Sequence, residues 1–283
     1  MASPKQILDR HFPFLSRNYR RMRDSMKFSR MQRHHTPLGF DLYGDADLAE
    51  SRSDSHEIEV FTRFMAEADA VLDVGANVGL FTCIAARAGK KVIAVEPSSF
   101  NVRNLYRNLE GNGIKGVEVF PIALSDSPGI LTLFGGGQGA TLLTGWGGIR
   151  SNYGDLVAVN SLDNLAYARF KDQRLLVKMD VEGNEYRVLQ GAAQLMDKSP
   201  APVWIIEHGL TENFGGSCNP NFLQLFELFW DRGYEARTLD GESRIVTRED
   251  VNRWLAAGKR DFGSINYFFQ REAGRQSKSA LPS

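Results

Sequence analysis

The chain has 283 residues, of which 42% are hydrophobic and 24% charged, and its formal net charge is zero. This composition is ordinary for a soluble globular protein, and the length suits one large α/β domain. No apolar stretch approaches the roughly 18 residues that a membrane span needs, so we expect no transmembrane segment. The beginning of the sequence also lacks the apolar core of a signal peptide, so we expect a cytoplasmic location.

Charge is unevenly distributed along the chain. Residues 1–35 contain nine Lys or Arg against two Asp, a net charge of +7, which leaves −7 for residues 36–283. Aromatic and Met side chains are interleaved with the basic ones, so we predict a helical basic N-terminal extension over 1–35. Such a segment is either a cap with solvated arginines or an arm for a membrane surface, RNA or another anionic partner. Because the rest of the chain is acidic, we expect no broad nucleic-acid binding.

Two elements precede the first dense motif. Residues 36–45 alternate apolar and polar side chains and end at a Gly-Asp turn, which predicts a short hairpin. Residues 57–68 have apolar side chains at helical spacing, with Phe61 and Met65 on the inward face. Together they begin a domain that we predict to cover residues 36–270.

The most informative motif lies in residues 71–82. An apolar run ends in Asp73, crosses the turn Gly75-Ala-Asn-Val-Gly79 and enters a helical pattern, and a second apolar run over 92–95 ends in Glu96. A strand, a glycine turn, a helix and a strand that ends in an acid predict a nucleotide-type pocket in a doubly wound sheet. The glycines would let the backbone approach a ligand closely, and Glu96 is placed to bind a ribose diol.

The details of this motif distinguish between two cofactors. The turn lacks the G-x-G-x-x-G that cradles the pyrophosphate of a dinucleotide. Asp73 stands two residues before the first glycine, where a carboxylate repels phosphate and suits an ammonium group. S-adenosylmethionine has an ammonium group and a ribose diol but no phosphate, so Asp73 and Glu96 favour it over NAD. The alternative is an ordinary strand–helix turn with a solvated glutamate.

The alternation of strands and helices continues and is then interrupted. Residues 101–109 predict a helix, and residues 117–123 predict a third strand. Residues 130–160 break the rhythm, because glycines cluster at 135–139 and 145–148. A long glycine-rich insertion in an α/β domain is either a mobile functional loop or a surface hairpin that tolerates glycine.

A second dense motif follows a predicted buried strand over residues 175–179. Lys178, Asp180 and Glu182 share one face if the chain stays extended. A lysine in a central strand needs an acidic partner, and Asp180, Glu207 and Asp73 are the candidates. Doubly wound folds bind ligands at the carboxyl ends of their strands, so we predict active-site chemistry here. The alternative is a structural ion pair that closes the sheet.

The remaining elements include one candidate base. A helix over 185–195 and a strand over 203–206 are predicted, and His208 stands at the end of that strand. Its ordinary pKa suits proton abstraction near neutrality, although a lone histidine is more often structural. The pattern ends with a helix over 221–230, strands over 234–238 and 264–270, and a disordered polar tail over 271–283.

Six motifs now stand in order: Asp73-Val-Gly-Ala-Asn-Val-Gly79, Val95-Glu96-Pro97, Ala123-Leu-Ser-Asp126, Ser161-Leu-Asp163, Lys178-Met-Asp-Val-Glu-Gly183 and Ile206-Glu-His208. Together they resemble the FkbM family of S-adenosylmethionine-dependent methyltransferases over about residues 36–270. The resemblance implies a class I methyltransferase fold, an α/β, Rossmann-like doubly wound sheet of seven mostly parallel strands with the last strand antiparallel. Residues 1–35 lie outside the family pattern.

The resemblance also implies roles for individual residues. Asp73, Gly75, Asn77 and Gly79 would line the methionine end of the cofactor, Glu96 would bind its ribose, and Ala123 to Asp126 would flank its adenine. The acceptor would be a hydroxyl of a sugar, of a glycolipid or polysaccharide unit, or of a polyketide-type small molecule.

For the chemistry itself we expect direct in-line transfer of the methyl group to a hydroxyl oxygen. Asp180 is the first candidate for acceptor contact or general base, followed by Glu182 and His208. A divalent metal held by Asp180 and Glu182 is a less favoured alternative, and the two cysteines, Cys83 and Cys218, have no zinc-ligand spacing.

Three other classes stay open at this point. A Rossmann dehydrogenase would need the missing dinucleotide fingerprint. An RNA or protein methyltransferase would use the basic arm, and a non-catalytic cofactor-binding scaffold would use the pocket alone. Residues that select the acceptor are expected in loops such as 135–150 and 209–220.

Overall fold

The computed structural model describes residues 31–44, 55–148 and 154–271. Most of the predicted basic extension (residues 1–30) and of the predicted tail (272–283) lies outside the described residues. The end of the extension is described, and it is not helical, because Arg33–His35 forms strand β1. This strand pairs antiparallel with β2 (Asp41–Tyr43), so the predicted hairpin is confirmed and begins earlier than expected.

The other elements follow in chain order. The helices are α1 (Ser55–Glu67), α2 (Leu80–Arg87), α3 (Ser99–Gly111), α4 (Ala168–Phe170), α5 (Glu185–Gln190), α6 (Ala193–Asp197), α7 (Phe222–Trp230) and α8 (Arg248–Ala257). The strands are β3 (Ala70–Val74), β4 (Lys91–Val95), β5 (Glu118–Phe120), β6 (Ala123–Leu124), β7 (Gly129–Leu133), β8 (Asp155–Asn160), β9 (Leu175–Met179), β10 (Val203–Glu207), β11 (Glu235–Thr238), β12 (Ile245–Val246) and β13 (Asn266–Gln270). Single 3-10 turns occupy Gly137–Gly139 and Trp146–Gly148, and a π-helical turn at Asp163–Tyr167 leads into α4.

Eight of the described strands form the main sheet, in the order β12-β11-β13-β10-β9-β3-β4-β5. Strands β10, β9, β3, β4 and β5 run parallel, and β13 runs antiparallel to both of its neighbours. The predicted antiparallel last strand is therefore confirmed. The family resemblance implies seven strands, and the eighth is β12, a two-residue edge strand beside β11 that is too short to show a hydrophobic period.

Helices cover both faces of the main sheet. Successive side chains of a strand point to opposite faces, so each central strand contributes to two cores. Leu72 and Val177 belong to a core that includes α5, α6, α7 and α8. Val71 and Leu176 belong to a second core that includes α1 and α2. Helices therefore pack on both faces of the main sheet, as in the doubly wound arrangement that the sequence predicts.

Two predicted elements are each divided in the structure. The strand expected over 117–123 is interrupted at Pro121, which has no N–H for a sheet ladder; β5 joins the main sheet, and β6 joins β8 in a small sheet with β7. The helix expected over 185–195 is divided near Gly191. There the Asp163 carboxylate accepts hydrogen bonds from the Gln194 and Leu195 N–H groups, so it starts a new helix, α6.

The interrupted region over 130–160 is more regular than the sequence indicates. Strands β7 and β8 lie within it and pair antiparallel, from Gly129 opposite Val159 to Leu133 opposite Asp155. The glycines lie between these strands, in residues 135–148, which we call the Gly-rich segment. This segment reaches the edge of the main sheet where the central strands end.

Candidate active site

A cavity of about 420 Å³ opens where β3, β4, β9 and β10 end. The carboxyl ends of parallel strands meet at one edge of a sheet, so residues far apart in sequence converge there. The charged side chains among its lining residues are Glu57, Asp73, Glu96, Lys178, Asp180, Glu182 and Glu207. The position agrees with the sequence prediction, and the excess of carboxyl groups is its main chemical property.

The turn after β3 uses its glycines for packing within the protein. Gly75 and Gly79 have φ values of +82° and +93°. A Cβ on Gly75 would lie 1.7 Å from the carbonyl oxygen of Asp180, and a Cβ on Gly79 would lie 2.2 Å from Leu105 Cδ1. Gly75 lines the cavity, whereas Gly79 does not. The close neighbour of Gly79 is thus a helix side chain, and its predicted contact with a ligand stays a prediction.

Glu96 is held at what we call the β4 end of the cavity, formed by Glu96, Asn77 and Asn101. Its Oε2 accepts a hydrogen bond from the Asn77 N–H (2.9 Å), and its Oε1 accepts from the Ser98 N–H (2.8 Å) and from Asn101 Nδ2 (3.2 Å). Burial raises the pKa of Glu96 to about 7 in spite of these donors. Oε2 accepts one bond and keeps a lone pair for a donor in the cavity.

Two buried amide oxygens of the β4 end lack partners. Within the described part of the chain, Asn77 Oδ1 and Asn101 Oδ1 have no hydrogen-bond donor, although both residues line the cavity. A buried acceptor without a donor is unfavourable. The cavity therefore suits a ligand that brings N–H or O–H donors to this wall.

Asp73 lies at the end of β3 and is 2% exposed. The Thr82 hydroxyl donates a short hydrogen bond of 2.5 Å to its Oδ2. Burial raises the pKa of Asp73 to about 6, while Thr82 and the positive charge of Lys178 lower it. A buried carboxylate close to its titration point near neutrality would gain strongly from a cationic ligand.

Lys178 pairs with an acid that the sequence argument did not consider. Its Nζ lies 2.8 Å from Glu57 Oε1, and both side chains are buried. This ion pair is with an acid outside the three candidates that the sequence offered. Burial lowers the pKa of Lys178, but the carboxylates of Glu57, Asp180 and Glu207 raise it above the usual value. Glu57 has a sequence signal, since it precedes the buried Phe61 by one helical turn of α1.

The β9 end of the cavity, formed by Asp180, Glu182 and Glu207, concentrates carboxyl groups. Burial and then the charge of Asp180 raise the pKa of Glu182 to about 7. The same two causes raise the pKa of Glu207 to about 9, against the opposing effect of Lys178. Carboxyl groups in this state can hold or release a proton near neutral pH, which is what general acid–base chemistry requires.

The backbone at Glu182 differs from the extended geometry assumed for the motif. β9 ends at Met179, and Glu182 has a φ of +52°. Lys178, Asp180 and Glu182 therefore do not form one strand face, although all three still line the cavity. A left-handed glutamate is unusual and is maintained by its surroundings.

The Gly-rich segment contacts both ends of the cavity. At the β4 end, the Gly137 carbonyl accepts a hydrogen bond of 2.9 Å from Asn101 Nδ2. At the β9 end, Thr141 Oγ1 donates to the Glu182 carbonyl (2.7 Å), and Trp146 Nε1 donates to Glu182 Oε2 (2.8 Å). The segment is thus part of the site. Trp146 carries no periodic signal, so sequence reasoning missed it.

Two predicted site residues lie elsewhere. His208 is 1% exposed, stacks on Phe222 with ring centroids 5.1 Å apart, and does not line the cavity. Asp126 is exposed and pairs with Arg187 at 3.1 Å, whereas Ala123 does line the cavity. Strand β10, which precedes His208, ends at the cavity. Its last residue, Glu207, lines the cavity, and His208 does not.

Within residues 31–44, 55–148 and 154–271, no group of three or more His, Cys, Asp or Glu side chains is arranged to hold a metal ion. Among the helices of the same ranges, none is both long and apolar enough to cross a bilayer.

Comparison with protein families identifies the class of this site. A family model described as the methyltransferase FkbM domain matches residues 73–236. This range contains the glycine turn, Glu96, the Gly-rich segment and the cluster at the β9 end. The match covers more than half of the chain, so it places the chain in a methyltransferase family. The chain belongs to the FkbM methyltransferase family, as the sequence resemblance indicated.

Solved structures of low sequence identity also match. Methyltransferase FkbM from Methylobacillus flagellatus KT is 18% identical with a TM-score of 0.43, and the match covers 72% of this chain and 44% of that one. A putative O-methyltransferase from Klebsiella pneumoniae is 14% identical with a TM-score of 0.43, over 77% of this chain and 79% of that one. The bifunctional kinase-methyltransferase WbdD is 11% identical with a TM-score of 0.46, over 88% and 46%. The chain spans less than half the length of the Methylobacillus protein, and no curated protein matches it.

Proposed function

We propose that the protein transfers a methyl group from S-adenosylmethionine to a hydroxyl oxygen of its acceptor. The observation that carries this proposal is the pair of buried carboxyl groups, Asp73 and Glu96, at the ends of adjacent parallel strands in one cavity. A cofactor with an ammonium group, a sulfonium centre and a ribose diol complements these acids, and the pyrophosphate of NAD does not.

The cofactor would lie along the turn after β3. Asp73, Gly75 and Asn77 would hold its methionine end, with Gly79 supporting the turn from behind. Glu96 would accept hydrogen bonds from the ribose hydroxyls, and Ala123 would contact the adenine. The amide oxygens without partners in Asn77 and Asn101 fit the same ligand, because its ammonium, hydroxyl and amino groups are donors.

The acceptor would bind at the β9 end. When bound, the cofactor supplies an electrophilic methyl group, so the protein has to orient the hydroxyl and remove its proton. Asp180 and Glu182 are the proposed contacts, and the raised pKa of Glu182, about 7, lets it receive a proton near neutrality. Glu207 borders the same space with a higher pKa of about 9.

The class of acceptor follows in part from charge. Where they are ionised, the carboxyl groups at the β9 end repel a phosphate placed beside the reacting hydroxyl. A sugar, a glycolipid or polysaccharide unit, or a polyketide-type molecule that presents an uncharged hydroxyl fits better than RNA. Contact of the basic arm with a membrane surface or an anionic partner stays a prediction, since residues 1–30 lie outside the described residues, and so does the cytoplasmic location.

Calorimetric titration tests the cofactor. The full chain is titrated with S-adenosylmethionine and, separately, with NADH, alongside the variant Glu96→Gln. Glu110→Gln is the matched control, because Glu110 is exposed on α3, the helix that follows Glu96. We expect S-adenosylmethionine to bind, with about 10- to 100-fold weaker binding in Glu96→Gln, and no effect in the control.

The other outcomes of the titration decide between the remaining classes. NADH binding would support a dehydrogenase, and binding of neither ligand would support a scaffold. If S-adenosylmethionine binds, uncharged hydroxyl acceptors are then screened with Asp180→Asn. Unchanged turnover of that variant at saturating cofactor would contradict the role of Asp180.

A further inference from the structure

Glu182 occupies a backbone conformation that its neighbours must maintain. A glutamate with φ at +52° has no glycine-like freedom, and such strain is typically found where a side chain has to be aimed. The next residue, Gly183, has a φ of +96°. The Glu185 carboxylate accepts hydrogen bonds from the N–H groups of Gly183 (2.9 Å) and Val181 (3.3 Å). These bonds hold the backbone on both sides of Glu182.

Trp146 fixes the same loop from the other side. Its Nε1–H donates to Glu182 Oε2 at 2.8 Å. Its ring lies so close to Gly183 that a Cβ there would be 2.4 Å from Trp146 Cζ3. Side chain and backbone of the Glu182–Gly183 pair are thus both in contact with one indole, which is itself 8% exposed.

Trp146 is in turn supported by the loop after β10. Its ring meets Phe214 edge to face, with ring centroids 4.8 Å apart and an interplanar angle of 85°. The adjacent Gly147 N–H donates to the Asn213 carbonyl at 2.9 Å. The two loops in which acceptor-selecting residues are expected therefore meet at this tryptophan.

The surroundings of Glu182 explain why an indole suits this position. The negative charges of Asp180 and Glu185 raise the pKa of Glu182, and the charge of Glu182 raises the pKa of Glu207. A lysine or arginine would form a strong ion pair and remove its basicity. An indole N–H is a donor only, so it orients one carboxylate oxygen without neutralising the group. Oε1 is left for another donor.

We propose that Trp146 is a positioning residue, whose indole N–H and ring hold the Glu182 carboxyl so that its other oxygen faces the acceptor hydroxyl. This proposal rests on the proposed function, in which Glu182 contacts the acceptor. It also gives the Gly-rich segment a function. The glycines allow this segment to run from the β4 end to the β9 end, where it places the Trp146 indole. The contact between Trp146 and Glu182 can be measured without knowing the acceptor.

The test follows the Glu182 carboxyl carbon by NMR in protein labelled with carbon-13 at the glutamate carboxyls. Glu182→Gln identifies the signal, and the titration runs from about pH 5 to about pH 9. Trp146→Phe keeps an aromatic ring and removes the N–H donor. Trp254→Phe is the matched control, because Trp254 is also buried, donates to Asp261 at 3.0 Å and packs on Phe262, yet does not line the cavity.

We expect the titration midpoint of the Glu182 carboxyl group to rise by about one pH unit in Trp146→Phe. The variant loses a hydrogen-bond donor that favours the charged form of Glu182. Trp254→Phe should leave the midpoint unchanged. An unchanged midpoint in Trp146→Phe, or an equal shift in both variants, would overturn the proposal.

A second measurement avoids any change at Trp146, in case Trp146→Phe does not fold. The indole ¹⁵N–¹H signal of Trp146 in the wild-type chain should move with the titration of Glu182 and should not move in Glu182→Gln. An indole signal that ignores pH, or that titrates equally in the variant, contradicts the proposal.

Cofactor titration of the same samples separates the two hypotheses. Coupling between the indole and Glu182 without S-adenosylmethionine binding would overturn the proposed function and leave the contact standing. Binding without coupling would overturn the role of Trp146 alone.

Discussion

The β4 end and the β9 end of the cavity hold their carboxyl groups by different means. At the β4 end, Glu96 accepts hydrogen bonds from two backbone N–H groups and one amide, all within a few residues of β3 and β4. At the β9 end, the donor to the Glu182 side chain is Trp146, which comes from a separate segment of the chain. The first end is built from local turns and the second from long-range contacts.

The difference has a functional meaning under the proposed reaction. A cofactor shared by a family needs the same cradle in every member, and short turns beside the sheet provide it. An acceptor that differs between members requires a wall that can vary, and long loops tolerate change. Gly75, Lys178 and Asn101 connect the β4 end with the β9 end or with the Gly-rich segment. Substitutions of these three residues test whether the two ends of the cavity are independent of each other.

The largest effect is expected for Gly75→Ala. The added Cβ would lie 1.7 Å from the Asp180 carbonyl oxygen, so the β3 turn and the β9 loop could not both keep their positions. We expect a loss of more than about 5 kcal/mol, enough to unfold an ordinary domain. Urea unfolding measures it.

Gly89→Ala provides the control for Gly75. Gly89 has a similar φ of +77°, but nothing lies within 4 Å of its Cβ position. It should lose only the roughly 1–2 kcal/mol of a left-handed alanine. Equal losses in the two variants would show that the close approach of the two ends is unimportant.

Lys178→Met should have the next largest effect. The substitution breaks the buried ion pair with Glu57 and removes a positive charge from beside Asp180 and Glu207. Breaking a buried pair in this way costs about 3–5 kcal/mol. The midpoint of urea unfolding should fall accordingly, whereas Lys91→Met, at an exposed position of β4, should barely change it.

Between about pH 4.5 and about pH 7, the buried Glu96 should make the ligand-free protein less stable as pH rises. The folded pKa of Glu96, about 7, exceeds its ordinary value of 4.5, so the folded state holds a proton that the unfolded state releases. The stability from this group is fully present below about pH 4.5 and is lost as pH rises through about 7. Glu182 acts in the same direction.

Urea unfolding at a series of pH values measures this effect. Glu96→Gln should flatten the fall between about pH 5 and about pH 7, with a total change of about 1–3 kcal/mol. Saturating S-adenosylmethionine should also flatten it, because a cation favours the ionised carboxylates. A fall of unchanged steepness in Glu96→Gln would mean that the buried Glu96 stays ionised.

The smallest effect is expected for Asn101→Ala. Asn101 Nδ2 donates both to Glu96 and to the Gly137 carbonyl, so it links the β4 end to the Gly-rich segment. Loss of these bonds should weaken cofactor binding by about fivefold, or about 1 kcal/mol. Asn104→Ala on the same helix loses a bond to the Phe100 carbonyl without touching Glu96. Calorimetry that gives the same affinity for both variants would contradict the link.

The same contrast between the two ends explains what could be predicted from the sequence. Asp73, the glycine turn and Glu96 are local, since each residue type and spacing reports a strand end or a tight turn. The strand over 175–179 likewise follows from a short hydrophobic pattern, whereas the antiparallel direction of the last strand was implied by the family resemblance alone. Where a hydrophobic pattern was continuous, the predicted boundaries of helices and strands differ from those in the structure by only a few residues.

The rest depends on contacts that no local pattern records. Glu57 reaches Lys178 only because α1 packs across the sheet, and Trp146 reaches Glu182 through a glycine-rich chain without periodicity. His208 illustrates the opposite error. It stands at the right end of a strand, yet strand alternation turns it into the aromatic core beside Phe222 and leaves Glu207 at the cavity.

The pairing of β3 with β9 also sets an order in time. Residues 70–74 bear the first half of the cavity and pair with residues 175–179, which bear the second half. A ribosome adds about 5–20 residues per second, so for several seconds β3 is present without its neighbour. Contacts this distant in sequence form slowly. The cavity therefore cannot be complete before residues 175–179 have been made, and until then β4, α1 and α2 are the elements available to cover the apolar strand β3.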